Sequence, residues 1–255
     1  MKKNIIFIPA IDAGRGRHHP YKYSINSWTK WAEKNNAEVL VWDTALYPWD
    51  EMTIPWQRYH LFKILDHNEI EFDQVLMVDS DTIVHPDTPN FFEMNDRKYT
   101  GVLDLGCWEW TGRSLRHYKD MFDGYKLDRG MYFNGGFQIV NESHREFFDF
   151  ILDFYFKNQD TLVEKQKAGL GTDQTVVNYL AQTQGIELKM LPATFNLHHM
   201  SSKNLLNFGQ SWWGDSMENL YEQAWVYHFN AIPKNQLDRS SAYFIKRAYE
   251  DLWEK

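Results

Sequence analysis

Cysteine is nearly absent. Cys107 stands alone among 255 residues, so no disulfide can close within the chain and an oxidising compartment is not implied. Positive charge is also in deficit. The 27 Lys and Arg against 35 Asp and Glu leave a net charge of -8, which argues against a general nucleic-acid binder. Long hydrophobic runs are missing too. The first apolar stretch, Ile5 to Ile8, is too short for a signal peptide or a membrane span. A buried first strand, no transmembrane segment and a soluble cytoplasmic protein are expected. Gly14 and Gly16 lack the third glycine of a dinucleotide fingerprint. No repeat, low-complexity tract or clear linker divides the chain.

Aromatic residues are abundant at 16%, with 11 Trp, 14 Tyr and 17 Phe. Many belong to a core. Sugar-binding sites also favour aromatic faces, because a pyranose packs its C–H groups on a ring.

Alternating strand and helix patterns place the chain in the α/β class. Asn4 to Ala10 reads as a strand, Pro20 to Asn35 as a helix and Ala37 to Asp43 as a second strand. This opening implies a right-handed crossover and a parallel sheet. A helix is expected over Pro55 to His67 and a strand over Tyr99 to Leu105. Gly106 to Gly130 reads as an aromatic, charged loop. A tight glycine turn is expected within Phe133 to Val140, before a strand. Ser143 to Lys157 is an amphipathic helix. A helix starts near Gly171 with Thr172 or Asp173 as cap. Ile186 to Leu191 is a short strand. From Ala193 the chain reads as irregular until a final helix, Ser240 to Glu254.

The organising stretch is Val75, Leu76, Met77 and Val78 followed by Asp79, Ser80 and Asp81. An unbroken apolar run fits a parallel strand buried on both faces. Residues two apart in extended chain point to the same side, so both carboxylates can aim at one spot. In open α/β sheets ligands bind beyond the carboxyl ends of the strands. Two hard oxygen ligands there suit Mg²⁺ or Mn²⁺ shared with a phosphate group. The plainer reading of the pair is a solvated turn.

Five ordered motifs resemble GT-A-fold glycosyltransferases, closest to family 8 and similar retaining enzymes. They are Val75 to Asp81 (strand and Asp-x-Asp), Tyr132 to Gly136 (Phe-Asn-x-Gly), Asp173-Gln174 with Asn178, Leu191-Pro192 with Phe195-Asn196, and Tyr227-His228-Phe229 with Lys234. Asn134 is followed by two glycines where that family has Ser-Gly or Ala-Gly. The resemblance implies a mostly parallel central sheet flanked by helices, with a C-terminal extension. It implies one GT-A-type domain over 1–255, its 1–105 half binding nucleotide and its 106–255 half binding sugar and acceptor.

A site assignment follows from the same resemblance. Asp79, Asp81 and His228 would bind Mn²⁺ or Mg²⁺. Lys234 would meet the diphosphate of a nucleotide sugar, UDP-glucose or UDP-galactose by family. Asn134, Gly135 and Gly136 would approach the donor sugar, as would Asp173 and Gln174 at the reaction centre. Ala10, Ile11 and Asp12 would contact the base, with Tyr23 packed nearby, although Asp12 equally suits a turn. Ser80 sits between the two acids and joins the donor site. Arg58 and Lys63 precede the acidic strand and read equally as sugar or phosphate contacts and as surface charge. The acceptor would be a glycan or other hydroxyl compound. Trp108, Trp110, Trp212 and Trp213 fit an acceptor site or lid, or plain packing. Two rivals stand beside this reading. A haloacid-dehalogenase-like phosphatase shares Asp-x-Asp but has Thr or Val where Ile83 stands. An inactive carbohydrate-binding protein could keep the fold.

Overall fold

Alternation along the strands builds two cores. In β1 (Lys3–Pro9) Ile5 and Phe7 join one core, and Ile6 and Ile8 the other. In β3 (Phe72–Val78) Val75 and Met77 face one way, Leu76 and Val78 the other. The computed structural model describes residues 2–12, 19–104, 106, 108–198, 221–230, 232 and 240–254.

Besides β1 and β3, the main sheet contains β2 (Ala37–Trp42), β5 (Tyr99–Leu103), β6 (Phe133–Asn141) and β7 (Leu188–Leu191). Their order is β2-β1-β3-β6-β5-β7. β6 is antiparallel to β3 and β5, and the other pairs are parallel, as the predicted mostly parallel sheet requires. Helix α1 (Tyr21–Lys34) covers one face with Trp28 and Trp31. The Trp31 ring stacks on Phe91 at 4.4 Å. The other face meets α3 (Leu61–His67), α4 (Trp108–Tyr118), α5 (Arg145–Lys157) and α7 (Gln174–Thr183) through Phe62, Leu115, Phe148, Ile151 and Val177. Full burial of each such apolar side chain stabilises by about 1.5–3 kcal/mol.

A second, two-stranded sheet completes the fold. β4 (Thr82–Val84) pairs antiparallel with β8 (Val226–His228), and Thr82 stands opposite His228. The C-terminal helix, Ser241–Trp253, packs Phe244, Ile245 and Ala248 onto Ile83 and Tyr227. Trp253 Nε1–H donates to the Val84 carbonyl at 2.9 Å.

Four local expectations need correction. The predicted helix over 55–67 is broken into α2 (Ile54–Gln57), a 3-10 turn at Arg58–His60, and α3. Its apolar spacing continues through the turn, so pattern alone does not show the break. The predicted glycine turn does not exist: Gly135 and Gly136 lie inside β6, and neither has positive φ. The predicted loop over 106–130 contains α4, whose buried stripe of Thr111, Ser114, Leu115 and Tyr118 is too polar to announce itself. Helix α6 (Gln159–Gln166) buries only Leu162 and so has no apolar stripe to read, while β8 lies in a stretch read as irregular. Among the described residues no helix is long and apolar enough to cross a membrane.

Candidate functional site

The acidic turn after β3 is pinned on several sides. Asp79 N–H donates to the Gly136 carbonyl at 3.1 Å, and Phe229 N–H donates to the Asp81 carbonyl at 2.9 Å. Thr82 Oγ1 donates to the Asp79 carbonyl at 2.7 Å and accepts Trp28 Nε1–H at 2.9 Å. The side chains of Asp79 and Asp81 keep 25% and 27% exposure, so a ligand can reach them. Register on β4 then delivers His228. Its Nε2 lies 3.1 Å from Asp81 Oδ1 and 3.4 Å from Asp79 Oδ2. One ligand atom from each of the three residues falls within 4.8 Å of the others.

Hydrogen bonding fixes the imidazole. Gly136 N–H donates to Asn134 Oδ1 at 2.9 Å, so that atom is an acceptor. Asn196 must therefore offer it Nδ2, as it does at 2.9 Å. Asn196 Oδ1 is left facing His228 Nδ1 at 3.0 Å, and Nδ1 must carry a proton. In the neutral ring Nε2 is then a bare lone pair turned toward two carboxylates. Nε2 is buried and set against these two carboxylates. Such an atom is costly unless a cation or a proton satisfies it. Two carboxylates and one imidazole suit a divalent ion, and the nitrogen ligand favours Mn²⁺ over Mg²⁺. In the metal-free site a proton takes that place. Burial opposes charge on His228, but Asp81 and Asp79 outweigh it and raise the imidazole to about 9.

Gly136 is shaped for this arrangement. A Cβ there would stand 2.8 Å from Asp79 Oδ2 and closer still to His228 Cε1. The residue admits the ligands rather than turning the chain.

Arg58 neutralises the surrounding acids. It is 6% exposed and its Nη1 lies 2.8 Å from Asp79 Oδ1. The same nitrogen donates to the Gly135 carbonyl at 2.7 Å, and Nε lies 3.8 Å from Asp173 Oδ2. Burial would raise the Asp79 carboxyl, but Arg58, with His228, holds it well below the usual range. Asp173 makes no side-chain cap to α7. It instead accepts Tyr59 O–H at 3.1 Å and faces Arg58.

Gln174 and Asn134 form one network with a residue the sequence did not single out. Gln174 Nε2 donates to Asp104 Oδ2 at 2.7 Å and to Tyr132 Oη at 3.1 Å. Gln174 Oε1 accepts Gly135 N–H at 2.9 Å and Asn134 Nδ2 at 3.1 Å. Asp104, its side chain 7% exposed, lies 3.7 Å from His198 Nε2. An isolated Asp at a strand end carries no motif, so Asp104 and Tyr59 had no legible signal, and Tyr132 stood within a quoted motif without a role of its own. Asn196 lay within a quoted motif, but its role as the partner of His228 depends on the fold.

Beside the acids lies a cleft of about 190 Å³ walled by Ile11, Tyr21, Trp49, Arg58, Ser80 and Asp81. Ala10 is buried and its N–H donates to the Trp42 carbonyl at 2.8 Å. Asp12 is exposed. Tyr23 packs on Tyr249 of the C-terminal helix at 5.6 Å, while Tyr21 reaches the cleft. Lys63 is not brought to the cluster: it is 59% exposed and lies 3.7 Å from Asp149. Lys234, Trp212 and Trp213 lie outside the described residues. Trp108 is 62% exposed, whereas Trp110 is partly buried.

No family model matches the sequence, and neither does any curated protein. Solved structures do match. A glycosyltransferase involved in glycosylation of the major capsid of PBCV-1 is 9% identical, with TM-score 0.57 over 98% of this chain and 99% of that one. The galactosyltransferase LgtC is 14% identical, with TM-score 0.52 over 98% and 96%. Mouse xyloside xylosyltransferase 1 is 14% identical, with TM-score 0.51 over 91% and 99%. An acidic pair closing the third strand of a mixed sheet, met by a histidine from a separate two-stranded ribbon, thus sits in a chain that has the GT-A fold of glycosyltransferases.

Proposed function

We propose that this chain is a cation-dependent glycosyltransferase that moves a hexose from a nucleotide diphosphate sugar to a hydroxyl of a glycan, with retention, in the cytoplasm. UDP-glucose and UDP-galactose are the first donors to test. The observation that carries the reading is His228 Nε2 set 3.1 and 3.4 Å from the carboxylates of Asp81 and Asp79 beside a cleft. These three residues would hold Mn²⁺ or Mg²⁺. When bound, the ion neutralises the diphosphate and the charge that grows as the nucleoside diphosphate leaves.

Residues 1–105 take the nucleotide in this reading, and 106–255 the sugar and acceptor. Ala10, Ile11 and Asp12 meet the base, with Tyr23 behind them, and Ser80 lines the cleft. Lys234 meets the diphosphate. Asn134, Gly135 and Gly136 lie under the donor sugar. Asp173 and Gln174 set the electrostatics and position at the anomeric carbon. Arg58 keeps Asp79 ionised. The bond from the anomeric carbon to the phosphate oxygen breaks, and the acceptor oxygen bonds to that carbon on the same face. The acceptor proton passes to the departing phosphate.

The test is a panel of sugar nucleotides with Mn²⁺, scored by thermal stabilisation and slow donor hydrolysis. One donor should give both responses, and Asp79→Asn and Asp81→Asn should abolish them. No response to any donor sinks the reading, as does hydrolysis of phosphate monoesters without sugar-nucleotide turnover. Binding without turnover leaves a sugar-nucleotide-binding protein. Anomeric NMR of the product decides retention, and an inverted product overturns it.

A further inference from the structure

The wall of one groove carries four cations on a net acidic protein. The groove, about 560 Å³, is lined by Arg116, Lys119, Lys126 and Arg129, with Tyr125 and Tyr179 between them. All four cations are exposed, and among the described residues none has an ion pair. Among the described residues Asp128 is the sole acid on the wall, and its Oδ1 is already taken by Gly130 N–H at 2.8 Å. Two guanidiniums converge over Gly112. Arg129 Nη2 and Arg116 Nη1 come within 3.4 and 3.6 Å of the point a Cβ there would occupy. Like charges held side by side repel, and an anion between them reverses the sign.

Arg129 links this groove to the site. It also borders a hollow of about 90 Å³ formed with Trp108, Thr111, Tyr132 and Asp104. Its guanidinium lies 5.8 Å from the centre of the Trp108 ring, an exposed aromatic face suited to a sugar. Asp104 in turn accepts from Gln174.

We infer that the acceptor is an anionic saccharide. Its phosphate or carboxylate is held by Arg116 and Arg129, with Lys119 and Lys126 beside them. Its ring lies on Trp108, and its reacting hydroxyl points toward Asp104. The word acceptor rests on the transferase reading; the anion site does not.

Calorimetric titration of the metal-free protein at low salt tests it, with glucose 6-phosphate, glucuronate and glucose as probes. At least one acid should bind about tenfold or more tighter than glucose. Arg116→Gln with Arg129→Gln should lose about tenfold of that affinity, and Lys119→Gln with Lys126→Gln should weaken it independently. Trp108→Ala should weaken every sugar probe. Asp79→Asn should leave acid binding intact. Glucose binding as tightly as both acids overturns the inference, as does acid binding indifferent to both double variants. Acid binding through these residues without sugar-nucleotide turnover fails the transferase reading alone. Turnover without acid binding fails the groove alone.

Discussion

At the scale of the residue, His228 has two uses for one lone pair. In the metal-free protein the acids draw a proton onto it, lifting the ring to about 9 from an ordinary value of about 6.5. A raised folded-state value stabilises the fold fully below about pH 6.5, and that contribution is lost as pH rises toward 9. Metal ligation needs the neutral ring, so a cation competes with that proton. The expected outcome is a crossing. In chelator, the stability difference between wild type and His228→Gln shrinks from pH 6.5 to 9. The thermal shift produced by Mn²⁺ grows over the same range. A Mn²⁺ shift that falls with rising pH contradicts the ligand assignment.

Asn196 acts on the same atom at one remove. It touches no reacting group, so it is a positioning residue. Asn196→Ala should lower Mn²⁺ affinity by roughly 10–100-fold, as loss of a ligand-orienting hydrogen bond does. Above about pH 9, where the metal-free ring is neutral, nitrogen-15 shifts of His228 should show loss of the single Nδ1–H tautomer, which a merely structural role would not produce. Arg58 is a different case. Arg58→Ala leaves Asp79 and Asp173 without their shared cation, and removing one partner of such a buried pair costs about 3–5 kcal/mol. Denaturant unfolding measures this directly.

At the scale of the element, β6 decides the shape of the site. It runs against its neighbours, so Phe137 stands opposite Val78, the last residue of β3, and the residues before Phe137 run on past that end. Gly135 and Gly136 thereby reach the same end of the sheet as Asp79. Gly136→Ala should destabilise the protein by about 1–3 kcal/mol through overpacking, and should abolish the Mn²⁺ shift by displacing His228. Equal Mn²⁺ shifts in variant and wild type exclude the packing argument.

Legibility in the sequence followed physical range. The apolar runs of β1 and β3 and the Trp28–Trp31 face of α1 are local patterns, and they specify their elements directly. The acidic pair was readable because its two members adjoin a strand. His228 was readable only through resemblance to other proteins. Its ring is placed by pairing with Thr82, a contact between distant parts of the chain. The two glycines misled for a related reason. An Asn-Gly pair favours a turn locally. Here Asn134 is held by Asn196 and Gln174, and Phe133 by Asn178, all far along the chain. Tertiary contacts keep the backbone extended.

At the scale of the whole molecule, charge is unevenly spread. A net -8 coexists with a groove of four cations and a buried guanidinium between acids. Such separation steers a charged substrate toward one face, and salt screens it beyond a Debye length of about 8–10 Å. The three cores also divide the molecule. Two lie on opposite faces of the main sheet, and the third lies under the C-terminal helix.

Asp79 follows the last residue of β3 in the main sheet, whereas Asp81 leads into β4 of the small sheet that carries the imidazole. A bound cation would therefore be a clasp between the end of β3 and the β4–β8 ribbon. Hydrogen exchange can see a clasp close: amides of Val226 to His228 should slow on adding Mn²⁺, while those of Val75 to Met77 stay as they were. The ribbon would breathe when the clasp is open, giving the leaving nucleotide a way out that needs no movement of the floor beneath it.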